Sequence, residues 1–147
     1  MQRRAFLQCL AGLSVMALLV PLRAVAALWN RTAFESKDVQ GALAGLEVPT
    51  EIPSEDIEII APERAENGAV VQVEVRSRIP GTEAIAILAE KNPTPLIANF
   101  MFSHGAEPFV ITRIKMAETS HIQAIVKSGD QYYIAKRMVE VLENGCD

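Results

Sequence analysis

Cysteine, histidine and aromatic side chains are scarce in this chain: two Cys, two His and 5% aromatic residues among 147. Cys9 lies in an N-terminal apolar segment, and only Cys146 lies in the rest of the chain. A chain with one cysteine forms no internal disulfide; its thiol stays free, pairs with another chain or carries an adduct. His104 and His121 with one cysteine fall short of the four ligands of a zinc site. There is no Gly-rich phosphate loop, no paired-carboxylate motif and no haem cysteine pair. Ser103-His104-Gly105 reads as a turn, not a nucleophile elbow. These absences leave no self-contained active site, no cofactor site and no metal site.

What is present begins with an export signal. Arg3 and Arg4 precede an apolar run from Cys9 to Val20, and Ala24-Val25-Ala26 supplies the small residues of a signal peptidase site. The run is too short for a membrane span. Arg-Arg-Ala-Phe-Leu has the form of a twin-arginine signal, with an ordinary secretory signal as the alternative. Either route takes the protein out of the cytoplasm, and the periplasm is the expected location, with no membrane anchor. Cutting after Ala26 removes three of the 14 basic residues and none of the 18 acidic ones, so the net charge moves from −4 to −7 over the 121 residues that remain. So acidic a surface is a poor one for nucleic acid or anionic lipid.

Residues 28–46 (LWNRTAFESKDVQGALAGL) carry Trp29, Ala33, Phe34, Val39, Ala42, Leu43 and Leu46 at helical spacing, predicting one or two short helices. Residues 48–54 read as a connector with Pro49 and Pro53 as breakers. Beyond it the period changes to two. Seven strands are expected: at Ile57–Ile59, Val71–Arg76, Ala84–Glu90, Leu96–Phe102, Phe109–Met116, His121–Lys127 and Tyr132–Leu142. Turn signals at Asn67-Gly68, Pro80-Gly81, Asn92 to Pro95 and Ser128 to Gln131 separate several of them, and residues 103–108 form a loop. Seven short strands without intervening helices predict a mainly β fold, an immunoglobulin-like β-sandwich. The segments are then a signal (1–26), a helical segment with connector (27–54), a sandwich (55–142) and a tail (143–147). Tyr132 and Tyr133 read as packing residues, although aromatic pairs also suit interfaces.

Cys146 is the residue that can carry chemistry. A short polar tail gives a thiol solvent access and reach, and Gly145 removes bulk beside it. Glu143 and Asp147 disfavour the thiolate, and the nearest basic residue before Cys146 is Arg137, so activation must come from a partner. From position alone, a reactive arm on one side, and an intermolecular disulfide staple or a cysteine with no role on the other, are equally open.

Several segments together resemble one family. They are the twin-arginine-like start, Trp29-Asn30 with Ala33-Phe34, Ala65 to Val71 (AENGAVV), Ile79 to Glu83 (IPGTE), Glu90 to Pro93 (EKNP), Glu107-Pro108-Phe109, Thr112 to Met116 (TRIKM) and Gly145-Cys146. The chain is similar to SoxY, the sulfur-carrier subunit of the periplasmic Sox thiosulfate-oxidising system. The resemblance implies a carrier, not an enzyme. It also implies a heterodimer with a SoxZ-like subunit and covalent attachment of thiosulfate-derived sulfur to Cys146. A haem-containing protein couples thiosulfate there, a hydrolase releases sulfate, and in many systems a sulfur dehydrogenase oxidises what remains. The family's tail ends in two glycines, cysteine and two glycines. Here Asn144 replaces one glycine and Asp147 alone follows Cys146, which makes the arm shorter and more acidic. The reading from another class is an exported interaction module whose cysteine forms only an intermolecular disulfide.

Overall fold

The computed structural model describes residues 30–103 and 105–143. Among the described residues, two short helices, α1 (Arg31–Glu35) and α2 (Val39–Gly45), precede nine strands. The strands are β1 (Ile52–Pro53), β2 (Ile57–Ile60), β3 (Arg64–Ala65), β4 (Val71–Ser77), β5 (Thr82–Ala89), β6 (Leu96–Met101), β7 (Phe109–Ile114), β8 (Ser120–Ser128) and β9 (Gln131–Val141). The larger sheet runs β1-β9-β8-β5-β6, with β3 also paired to β9, and the smaller runs β2-β4-β7. The expected mainly β, two-layer architecture is what the chain adopts.

Alternation in β4 puts Val71, Val73 and Val75 inward. There they meet Ile85, Ile87 and Ala89 of β5 and Ile122, Ala124 and Val126 of β8. The run AIAILA in β5 does not alternate because both of its faces are covered. Its outer side chains, Ala86 and Leu88, pack with Ile125 and Ile134 beneath Ala33, Ala42 and Leu43 of the helices.

The helical segment divides at Ser36-Lys37. Asn30 caps α1 by accepting from Ala33 N at 3.1 Å, and Asp38 caps α2 by accepting from Gly41 N at 2.7 Å. Helices of 5 and 7 residues do not persist alone, so burial against the sheet holds them. Asn30 Nδ2 also donates to Gly45 O. The helices nearly touch there: a Cβ on Gly45 would lie 2.6 Å from the Ala33 backbone.

Two strands exceed the seven expected. Ile52–Pro53, within the stretch read as a connector, pairs parallel with Tyr133 and Ile134, and Arg64–Ala65 pairs parallel with Glu140 and Val141. Both lie along the outer edge of β9, the one place in a sheet where a proline without an N–H is tolerated. Two residues show no periodicity, which is why a pattern search passes over them. The turns fall where expected, with positive φ at Gly81 and Gly129. Tyr133 packs against the inter-sheet core and Tyr132 against the helix-covered one.

Candidate functional site

Cys146 and its flanks Asn144, Gly145 and Asp147 lie outside the described residues, as does His104. What the structure describes is the base from which that tail departs. The last three described residues are each tied to a different segment. Val141 N donates to Thr119 Oγ1 at 2.9 Å, and the same hydroxyl donates back to Val141 O at 3.4 Å. Leu142 N donates to Ala65 O at 3.0 Å. Glu143 O accepts from Gly68 N at 2.9 Å, and Gly68 O accepts from Met116 N at 2.7 Å.

Gly68 is therefore more than the turn residue its Asn-Gly pair suggests. Asn67 Oδ1 accepts from Ala69 N at 2.7 Å and shapes the loop, leaving both backbone groups of Gly68 to bridge Glu143 and Met116. The chain is held to the sandwich through Glu143, three residues before the cysteine.

A second clamp lies on the far side of Met116. Asn92 Nδ2 donates to Lys115 O at 2.7 Å, and Asn92 Oδ1 accepts from Ala117 N at 2.8 Å. This side chain ties the β5–β6 turn to the β7–β8 connection. Between them opens a cleft of about 400 Å³ lined by Asn92, Pro93, Thr94, Leu96, Ile97, Lys115 and Ala117. No sequence signal marks Gly68, Thr119 or Asn92 as anchors, because each acts on a residue more than 20 positions away.

The described histidine, His121, belongs to a polar cluster on the outer face of the larger sheet. Its Nδ1 is 3.2 Å from Glu90 Oε2, Gln123 Nε2 donates to Glu90 Oε1, and Lys136 Nζ lies 3.7 Å away. Burial pushes the Glu90 pKa up, but hydrogen bonds from Gln123 and His121 and the charges of His121 and Lys136 outweigh it and hold the carboxyl below its ordinary range. Glu90 thus serves as the buried-side acceptor for its neighbours. Among the described residues, no three of His, Cys, Asp or Glu lie close enough to share a metal ion, and no helix is long and apolar enough to cross a membrane.

Comparison with known proteins agrees with this geometry. The family described as sulfur oxidation protein SoxY matches residues 43–146, a stretch that runs through Cys146. The solved sulfur carrier protein SoxY from Chlorobium limicola f thiosulfatophilum is 36% identical, with a TM-score of 0.66, over 77% of this chain and 99% of that one. A superoxide reductase (neelaredoxin) from Ignicoccus hospitalis shares the fold at 21% identity and a TM-score of 0.51, over 58% of this chain and 78% of its own. No match is found among curated proteins. With the family pattern spanning both anchors of the tail and the cysteine beyond them, the chain belongs to the SoxY family.

Proposed function

We propose that this protein is a periplasmic covalent carrier of sulfur intermediates in thiosulfate oxidation, with the cargo attached to Cys146. The observation that carries the reading is the family match reaching Cys146 on a chain pinned to the sandwich as far as Glu143. Cys146 lies three residues beyond that pivot, a length of chain that spans at most about 10 Å. A thiol so placed can be offered to another protein's active site while the sandwich stays folded.

The chemistry needs partners. Joining a Cys146 thiolate to the outer sulfur of thiosulfate gives Cys–S–S–SO3− and releases two electrons, which a haem-containing coupling protein takes up. Water then attacks the sulfonate sulfur at a hydrolase, releasing sulfate and two protons and leaving Cys–S–S−. A sulfur dehydrogenase acts on that persulfide in systems that have one. The carrier contributes accessibility and a fixed pivot, and a SoxZ-like subunit completes it as a heterodimer.

Intact-mass spectrometry of the protein incubated with thiosulfate and the oxidising partner tests the reading. Thiosulfate-derived mass on the parent and none on Cys146→Ser is the expected result. A disulfide-linked dimer that reductant dissolves, with no sulfur adduct, would overturn it in favour of an interaction module.

A further inference from the structure

The outer edge of β9 is covered at both ends and open between them. β1 pairs with Tyr133 and Ile134, and β3 pairs with Glu140 and Val141. Ile134 O and Glu140 N point away from β8, the first accepting from Ser54 N at 3.0 Å and the second donating to Glu63 O at 2.9 Å. Backbone direction alternates along a strand, so Lys136 and Met138 turn their N–H and C=O groups the same way. Neither short strand reaches these four groups, and no described loop bonds them. The chain between the two short strands leaves the edge and forms β2 in the other sheet. The gap it leaves is a groove of about 560 Å³.

The groove combines apolar walls with one unpaired cation. Ile57 and Ile59 of β2 line it on one side and the half-exposed Met138 on the other. Arg137 crosses the gap from β9 to the end of β2, where its Nε donates to Ala61 O at 3.1 Å. Its guanidinium makes no ion pair with any described residue, whereas Lys136 faces Glu90 at 3.7 Å and Arg64 holds Glu140 at 2.8 Å. The other groove charge without an ion pair among the described residues is Glu63, at the β3 end.

We infer that this edge is a docking site for one extended strand of another protein, with an acidic residue of that strand set against Arg137. The site is separate from Cys146 and stands whether or not the carrier reading holds. Four unpaired backbone groups in line recognise a backbone, as when a strand adds to a sheet edge. The stretch from Ile134 to Glu140 is about 20 Å long, room for a strand of about five residues. So short an opening does not invite the long edge pairing that leads to aggregation. Side chains of the incoming strand alternate, and those facing inward meet Ile57, Ile59 and Arg137. Apolar residues around a single carboxylate fit that row, and Glu63 opposes a second carboxylate toward β3. β9 runs on from Met138 to Glu143, about 17 Å further, so a partner docked here sits on the strand that leads to Cys146.

The test is amide NMR of the chain freed of residues 1–26, titrated with two probe peptides. One is acetyl-Val-Thr-Glu-Thr-Val-amide, and the other has Gln in place of Glu. The Glu peptide is expected to shift the amides of Lys136, Met138, Ile57 and Ile59 to saturation, and to bind about three- to ten-fold tighter than the Gln peptide at low salt. In Arg137→Gln the two peptides should bind alike. In Met138→Pro, which removes an outward N–H where a sheet edge tolerates proline, neither should bind. Arg137→Gln keeps every backbone group and carries the test if the proline variant fails to fold. Shifts away from this edge, or equal binding of both peptides by the parent, would overturn the inference. So would Lys136 and Met138 amides already protected from hydrogen exchange without peptide. Protection lost on dilution would assign the edge to a second copy of the chain, and protection lost on removing residues 144–147 would assign it to the chain's own end.

Discussion

The two faces of the larger sheet are buried by different means. Its inner face meets another sheet, and Ile85, Ile87, Ile122 and Val126 interlock with three valines of β4 in one continuous layer. Its outer face meets two short helices that cover Ala86, Leu88, Ile125 and Ile134 and stop there. Beyond the helices the same face turns polar, with Glu90, His121, Gln123 and Lys136 tied together. One sheet therefore has an inner face held by strand pairing and apolar area, and an outer face whose cover depends on caps and one close helix contact. The inner layer fixes the strands that anchor the tail, and the outer cover adds burial without touching the anchor.

The sharpest way to break this contrast is to truncate the inner layer. Ile87 is fully buried between the sheets. Ile87→Ala is expected to lose about 3–4 kcal/mol of unfolding free energy, transfer and cavity costs combined, as read by urea denaturation. A loss below about 1 kcal/mol would mean the inner layer collapses around the gap, and its supposed rigidity would be gone.

The outer cover should respond at one point. Gly45→Ala places a Cβ 2.6 Å from the Ala33 backbone, an approach that forces α1 and α2 apart. The expected cost is about 1–3 kcal/mol, the usual scale of overpacking, despite alanine's better helix propensity. Hydrogen exchange should quicken in 31–45 and stay unchanged in β4 and β8. Exchange that quickens equally in both would show that the two faces fold as one unit, and the contrast would dissolve.

This contrast also explains what could be read from the chain. Strict alternation made β4 visible, and the unbroken apolar run in β5 signalled cover on both faces. Periodicity predicted helices in 28–46, while the break at Ser36-Lys37 comes from Asp38 capping the second one. The parallel additions at Ile52–Pro53 and Arg64–Ala65 exist only through their pairing with β9, so no local pattern encodes them. Cys146 stood out because it is alone in a polar tail. Its anchors did not, since Gly68, Thr119 and Asn92 look like ordinary turn residues until the fold brings Glu143, Val141 and Lys115 to them.

The smallest expected effect sharpens the comparison within the outer face itself, where apolar cover gives way to charge. Glu90 accepts from Gln123 and His121 and faces Lys136, and its pKa is held below the ordinary carboxylate range. A carboxyl with a folded pKa below its unfolded one, near 4.3, stabilises the fold above that pH and loses the contribution as pH falls through the folded value. Water reaches this cluster, since the Glu90 side chain is 27% exposed, so the contribution at neutral pH is about 0.5 kcal/mol, as for solvated ion pairs. Glu90→Gln keeps the shape and removes the charge. Its stability deficit relative to the parent should be present at pH 7 and shrink as the pH is lowered toward 3, measured by chemical denaturation at constant ionic strength. A deficit that persists unchanged at pH 3 would assign the cluster's value to hydrogen-bond geometry and not to charge. The polar patch would then resemble the helix caps beside it, and the outer face would be held by one kind of force instead of two.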